Sequence, residues 1–104
     1  MQRRRYEMLL PLKYNDGRFI EDEKFHQTRE ELIERFDAVS IASGAVHGIW
    51  IHDGTRYEDE TRRIVVDVED TPENREFFLI FKSSLCERFD QIEIYVASFP
   101  LDIL

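Results

Sequence analysis

The chain has 104 residues, 42% of them hydrophobic, and a formal net charge of −8 at pH 7. This length and hydrophobic content suit one domain with one modest core, and they argue against intrinsic disorder. The acidic balance repels phosphate groups, so it argues against binding to nucleic acid or to anionic membranes. The single cysteine, Cys86, excludes an internal disulfide and a cysteine metal cluster. No apolar run approaches the roughly 20 residues of a membrane helix. We therefore expect a single domain over residues 1–104, located in the cytoplasm.

The first part of the chain predicts a strand, a long connection and a helix. Alternating apolar residues predict a strand over residues 6–12, with Arg3-Arg4-Arg5 as its solvated flank. Asn15-Asp16-Gly17 is typical of a turn, because Asn and Gly tolerate positive φ. A helix is predicted from about Asp22 to Phe36, where apolar residues recur at helical spacing and glutamates occupy the opposite face.

The middle of the chain predicts a long β-hairpin. Asp53-Gly54 is a strong two-residue turn signal. With these residues at the tip, Trp50 lies directly opposite Tyr57, and His47 lies opposite Glu60. Trp50 and Tyr57 are then expected on the sheet face that no helix covers.

The same register predicts that Ile41 pairs with Val66 on the buried face. Ser43-Gly44 or Gly48 could each host a β-bulge, and one bulge reverses the face of every residue beyond it. The alternative to a two-residue tip is a longer loop that continues through residues 55–56.

The last part of the chain predicts a helix followed by a strand. Thr71 is expected to cap the helix and Pro72 to occupy its first position, with an apolar stripe over residues 73–88. The final strand is predicted to begin near Gln91 and to end at Pro100, because proline cannot donate a hydrogen bond within an interior ladder.

This βαββαβ order predicts a ferredoxin-like α+β sandwich. Its sheet has four antiparallel strands in the spatial order 4-1-3-2, and both helices cover one face. The predicted core contains Met8, Leu10, Phe25, Leu32, Ile33, Phe36, Ile41, Val66, Phe77, Phe81, Leu85, Ile92 and Ile94.

The sequence has no motif for catalysis, phosphate binding or metal binding. It lacks glycine-rich phosphate loops and paired metal-ligand spacings, so we expect no cofactor or resident metal and assign no catalytic residue. The predicted binding surface is the hairpin around His47, Trp50, His52, Tyr57 and Glu60. Its aromatic rings offer apolar area with a polar handle, while histidine and carboxylate can bind or titrate near neutral pH. The structural alternative is that Trp50 stacks on Tyr57 only to stiffen the hairpin.

Three short segments read Phe36-Asp37-Ala38-Val39-Ser40, Gly48-Ile49-Trp50 and Tyr57-Glu58-Asp59-Glu60. Together they resemble a family of small bacterial proteins that read F-G-G-x-T, then G-x-W, then an acidic step before a β-rich run. The resemblance implies a ferredoxin-like fold and no known activity. Asp37-Ala38 replaces two glycines of that pattern, which puts the family's turn between helix and strand in doubt here.

We expect a small non-enzymatic binding or interaction module that acts as a homodimer. The hairpin aromatics and the tail over residues 99–104 are more apolar than one small sandwich can bury. One alternative is a small-molecule enzyme of the dimeric α+β barrel type, with His47, Trp50 and Tyr57 around its pocket. Another is a regulatory ligand sensor with its site at Asn15-Asp16-Gly17. An enclosed cavity with converging polar groups favours the enzyme, and a flat apolar face favours the interaction module.

Overall fold

The computed structural model describes residues 2–104 and has the predicted order of elements. They are strand β1 (Arg3–Pro11), helix α1 (Asp22–Phe36), strand β2 (Ser40–His52), strand β3 (Thr55–Glu69), helix α2 (Pro72–Arg88) and strand β4 (Tyr95–Leu101). The strands pair antiparallel in the order β2-β3-β1-β4, with β1 and β3 at the centre. The ferredoxin-like fold and its strand order are therefore confirmed.

Both helices have the predicted boundaries where local signals are strong. The Thr71 side chain accepts a hydrogen bond from the Asn74 backbone N–H at 3.2 Å, and Pro72 begins α2. Helix α1 ends at Phe36, and the capping residue Asp37 adopts a left-handed conformation with φ 62° and donates its N–H to the Ile33 carbonyl at 2.8 Å. Asp37 thus makes the turn between helix and strand with a positive φ, although it is not a glycine. No helix within residues 2–104 is long and apolar enough to cross a membrane.

The core lies between the helices and one face of the sheet. The buried members of the predicted core are Met8, Leu10, Leu32, Val66, Phe81, Leu85 and Ile94. Phe25, Phe36 and Phe77 are partly buried against them. The core also contains Tyr6, Tyr14, Ile20, Ile64, Val68, Phe78 and Phe89.

Three members of the predicted core are exposed, so those predictions were wrong. Ile92 is fully exposed because it precedes β4, which begins only at Tyr95. Ile33 is 37% exposed because it lies at the edge of the helix face whose centre is the fully buried Leu32. Ile41 is 38% exposed and lies beside a bulge.

The bulge explains why the predicted pairing of Ile41 was wrong. Strand β2 carries extra residues between Ile41 and Ala45, so Ile41 pairs with Ile64 and not with Val66. Beyond Ala45 the predicted register is restored, and Trp50 pairs with Tyr57.

The predicted end of β4 at Pro100 was also wrong. Pro100 pairs with Arg4, and the strand continues to Leu101. Strand β4 is at the edge of the sheet, so one of its sides makes no ladder hydrogen bonds and can accommodate a residue without an N–H.

Candidate functional site

The β2–β3 hairpin projects beyond the body of the sheet. Pairing between β1 and β3 stops at Pro11 and Thr61, whereas β3 begins at Thr55. The tip is the predicted two-residue turn, in which Asp53 and Gly54 have φ 50° and 75°. Over residues 55–59, β3 therefore has no neighbouring strand on the side where β1 would lie.

The connection after β1 forms a compact turn next to that open edge. Lys13 and Phe19 form an isolated antiparallel bridge. Inside it, the Tyr14 N–H donates to the Arg18 carbonyl at 2.8 Å, and the Gly17 N–H donates to the Tyr14 carbonyl at 3.0 Å. Gly17 has φ 92°, a conformation that favours glycine. We call residues 13–19 the turn loop.

Tyr14 attaches the turn loop to the beginning of α1. Its ring is buried, its hydroxyl donates to the Glu21 carboxylate, and the Lys24 ammonium donates to the same hydroxyl at 2.5 Å. The hydrogen bond from Tyr14 lowers the pKa of Glu21, and the bond to Tyr14 raises the pKa of Lys24. Sequence analysis did not identify this role. The available signal was an aromatic residue directly before a turn and seven residues before a carboxylate.

A groove of about 740 Å³ lies between the open edge of β3 and the turn loop. We call it the hairpin groove. Four of the five predicted site residues line it: His47, Trp50, Tyr57 and Glu60. The fifth, His52, lies at the hairpin tip with Nε2 3.2 Å from Asp53 Oδ2, and it does not line the groove.

Asn15 and Gly17 of the turn loop also line the hairpin groove. From the sequence, the hairpin surface and the ligand-sensing loop were two separate hypotheses. The structure brings four hairpin residues and two loop residues together as opposite walls of one concave surface, whereas His52 and Asp16 do not line it.

The hairpin wall carries an exposed aromatic pair. The rings of Trp50 and Tyr57 stack with centroids 4.3 Å apart and planes 15° from parallel. Trp50 is 51% exposed and Tyr57 is 42% exposed. Residues opposite each other in adjacent strands are close enough for this contact. Because the pair is stacked and still accessible, it can stiffen the hairpin and contact a ligand.

The hairpin groove is strongly acidic. His47 lies with Nε2 3.0 Å from Glu58 Oε1 and Nδ1 4.0 Å from Glu60 Oε1. The only lysine in the lining is Lys13. The lining carboxylates are Glu58, Asp59, Glu60 and Glu93. Within residues 2–104, no three His, Cys, Asp or Glu side chains are grouped so that they could hold a metal ion. The negative field of the groove therefore favours a cationic ligand.

Gly48 gives one of these carboxylates its position. A Cβ atom at Gly48 would lie 2.6 Å from Asp59 Oδ1, closer than side-chain packing permits. The Asp59 side chain therefore lies over the bare backbone of its pairing partner on β2. A side chain at position 48 would therefore require the exposed Asp59 carboxylate to turn away.

No protein-family model matches the sequence, and no curated protein matches it. Several solved structures share the fold. CutA1, a divalent cation tolerance protein from Thermus thermophilus, is 14% identical with a TM-score of 0.65, and the match covers 97% of this chain and 85% of that chain. A phage SAM lyase in complex with S-methyl-5'-thioadenosine is 13% identical with a TM-score of 0.66, and the match covers 97% and 90%.

A third similar structure is the GlnK–ATP complex of Bacillus subtilis. It is 12% identical with a TM-score of 0.60, and the match covers 96% of this chain and 82% of that chain. Identities at this level establish a shared fold, and the same fold supports unrelated activities. The comparisons therefore confirm a small α+β protein of ferredoxin-like architecture.

Proposed function

We propose that the protein is a small-ligand-binding module whose hairpin groove takes a compound with a flat ring and a positive charge. The observation that carries the proposal is that the Trp50–Tyr57 pair and an excess of carboxylates line one groove. Aromatic faces attract both ring systems and cations. The carboxylates add a field that raises the local concentration of cations.

The similar structures suggest one ring system to test. GlnK is in complex with ATP and the phage lyase with S-methyl-5'-thioadenosine, and both of these compounds contain adenosine. The acidic lining of this groove opposes a triphosphate. An adenosine that carries a cationic group at its 5' position combines the flat ring with the charge that the groove favours.

The test uses Trp50 as a reporter, because it is the only tryptophan in the chain. Its fluorescence would be followed during titration with 5'-amino-5'-deoxyadenosine, S-methyl-5'-thioadenosine and ATP, which are cationic, neutral and anionic. We expect the cation to bind most tightly and ATP most weakly, with a difference that shrinks at high salt. Tighter binding of ATP, or unchanged fluorescence with all three at millimolar concentration, would contradict the proposal.

A matched pair of variants separates the groove from general charge. Glu60→Gln removes one lining carboxylate. It should lower the affinity for 5'-amino-5'-deoxyadenosine up to about fivefold, which is the contribution of an exposed ion pair. Glu76→Gln makes the same change on an exposed position of α2 and should leave affinity unchanged. Equal losses in both variants would indicate attraction by net charge alone.

We also propose that the module self-associates as a homodimer. Ile49 and Ile51 alternate with Trp50 along β2, so they lie on the opposite face of the hairpin, and they are 53% and 71% exposed. The tail residues Ile103 and Leu104 are exposed as well. Exposed apolar side chains clustered on one hairpin are typical of an interface, and a two-fold dimer is the commonest closed assembly.

Sedimentation equilibrium at micromolar concentration tests this association. The wild type should sediment as a dimer, and Ile51→Lys should shift it to monomer. Because Ile51 is exposed in the single chain, the substitution should not unfold it. A wild type that is monomeric throughout this range would refute the assembly and leave the ligand proposal standing.

A further inference from the structure

We propose that a second groove, beside helix α1, binds an amphipathic anion, meaning a carboxylate carried on an apolar chain or ring. The groove has a volume of about 890 Å³ and lies on the other side of the turn loop from the hairpin groove. We call it the helix groove. Its residues and its ligand differ from those of the hairpin groove, so this inference does not depend on the proposed function.

The helix groove offers an apolar surface at several depths. The side chains of Ile64 and Ile20 are 1% and 5% exposed and form its deep part. Phe25 of α1 is partly buried beside them. Ile41 and Phe19 stand at the mouth, where they are 38% and 74% exposed. An apolar chain placed here would cover side chains that water now contacts.

Two half-buried arginines, Arg29 and Arg62, line the same groove. Within residues 2–104, neither has a carboxylate within ion-pair distance. Unlike Arg75, which is also unpaired among these residues but exposed, both of these arginines are half-buried. Arg29 Nη2 instead lies 2.8 Å from His26 Nδ1, and Arg62 Nη1 donates to the Ala42 carbonyl at 3.3 Å. Each guanidinium keeps N–H groups available for a further acceptor.

The bulge in β2 accounts for the position of Arg62. Alternation along β3 places Arg62 on the same face as Ile64, towards the helices. The extra residues between Ile41 and Ala45 free the Ala42 carbonyl from regular pairing, and this carbonyl accepts the hydrogen bond from Arg62. The irregularity that displaced Ile41 from the core therefore holds a cation at the groove.

The two ends of the helix groove carry opposite charges. Asp22 and Glu23 line it at the beginning of α1, and both are exposed. Arg29 is seven residues after Asp22, which corresponds to about 10 Å along the helix axis. An anionic head group therefore fits at the arginine end, where guanidinium groups can form paired hydrogen bonds to a carboxylate. The apolar part of the ligand would then lie over Ile64 and Ile20.

The test compares three ten-carbon probes of different charge: decanoate, 1-decanol and decyltrimethylammonium. The two ionic probes would be titrated below their micelle-forming concentrations, and 1-decanol below its solubility limit, into the ¹⁵N-labelled protein. Backbone amide shifts would be recorded at pH 7. We expect decanoate to bind most tightly, with shifts confined to residues around the helix groove. Arg62→Gln should lower the affinity for decanoate roughly tenfold and leave the affinity for 1-decanol unchanged. Arg75→Gln, at an exposed position of α2 outside the groove, is the matched control and should have no effect.

Two further variants keep the test decisive if Arg62→Gln does not fold. Arg29→Gln should reproduce the selective loss of decanoate. Phe19→Ala alters an exposed side chain and should lower the affinities for decanoate and 1-decanol alike.

Several results would overturn the inference. One is equal affinity for the three probes, and another is amide shifts that map to the hairpin groove. The others are an equal loss of decanoate affinity in Arg75→Gln and the absence of amide shifts with millimolar decanoate. If Arg62→Gln or Phe19→Ala sedimented as a monomer where the wild type sediments as a dimer, a second copy of the chain would cover the groove. This result would also overturn the inference.

Discussion

Arg88 connects the two helices through hydrogen bonds whose contribution to stability can be measured. Its Nη1 donates to Thr28 Oγ1 at 2.8 Å, and its Nη2 donates to the two carboxylate oxygens of Glu31 at 2.8 and 2.7 Å. The side chain of Arg88 is 11% exposed and that of Glu31 is 39% exposed. The ion pair is therefore partly desolvated, and Arg88 has a less exposed side chain than any other arginine or lysine in an ion pair of residues 2–104.

The substitution Arg88→Met removes these bonds and retains most of the apolar stem. The Thr28 hydroxyl keeps its hydrogen bond to the Lys24 carbonyl at 2.8 Å, and Glu31 can be hydrated. No buried group is left unpaired, so the loss should stay below the ~3–5 kcal/mol of a broken, fully buried ion pair. Hydrogen bonds to charged groups contribute ~1.5–3 kcal/mol. We expect a decrease of about 2 kcal/mol in the free energy of unfolding.

Urea denaturation of Arg88→Met, Glu31→Gln and the double variant would measure this contribution as a double-mutant cycle. The coupling between the two side chains should be about 1–2 kcal/mol. Arg75→Met changes an exposed arginine of the same helix and should alter the free energy of unfolding by less than about 0.5 kcal/mol. A change that small for Arg88→Met, or a coupling near zero, would refute the reasoning.

Three further predictions concern single groups, each measured by urea denaturation. The Tyr6 hydroxyl is buried without a hydrogen-bond partner among residues 2–104, so Tyr6→Phe should raise the free energy of unfolding by about 1 kcal/mol. A loss of that size would mean that the hydroxyl has a partner. Asp37 has φ 62°, so Asp37→Gly should stabilise the protein by about 0.5–1 kcal/mol, and a lower urea midpoint would contradict this. The hydrogen bond from Arg5 lowers the pKa of the Asp67 carboxyl below its ordinary 3.8. Its contribution to stability is therefore complete above the unfolded-state pKa and is lost as pH falls through the lower folded-state value. Asp67→Asn should lower the free energy of unfolding at neutral pH and reduce its further decrease below about pH 4. An unchanged dependence of the free energy of unfolding on acid pH would contradict this prediction.

The parts of the fold that sequence predicted correctly depend on local signals. Thr71 and Pro72 mark the beginning of α2 because capping and the missing N–H act within one turn of the helix. The pairing of Trp50 with Tyr57 follows from the two-residue turn at Asp53-Gly54, which sets the register of the residues that follow it.

The parts that sequence could not predict depend on tertiary contacts. Ser43-Gly44 indicated a possible bulge, but the sequence did not show how many residues it contains, and that number sets the pairing of Ile41. Ile92 has the alternation of a strand, yet the chain after α2 needs those residues to return to the sheet.

The candidate site shows the same division. Cross-strand alternation was enough to group His47 with Glu60 and Trp50 with Tyr57. It could not show that the turn loop forms the opposite wall, because the path of that loop depends on the contact of Tyr14 with Glu21, the residue that precedes α1. The helix groove was missed for the same reason, since its arginines come from α1 and β3.

The proposed ligand of the hairpin groove is a ring-bearing cation that lies against the Trp50–Tyr57 pair. The most direct measurement is the set of intermolecular nuclear Overhauser effects between bound 5'-amino-5'-deoxyadenosine and the protein. We predict contacts from the adenine protons to the ring protons of Trp50 or Tyr57, and from the ribose to the turn loop. Contacts that fall only on residues outside the hairpin groove would contradict it.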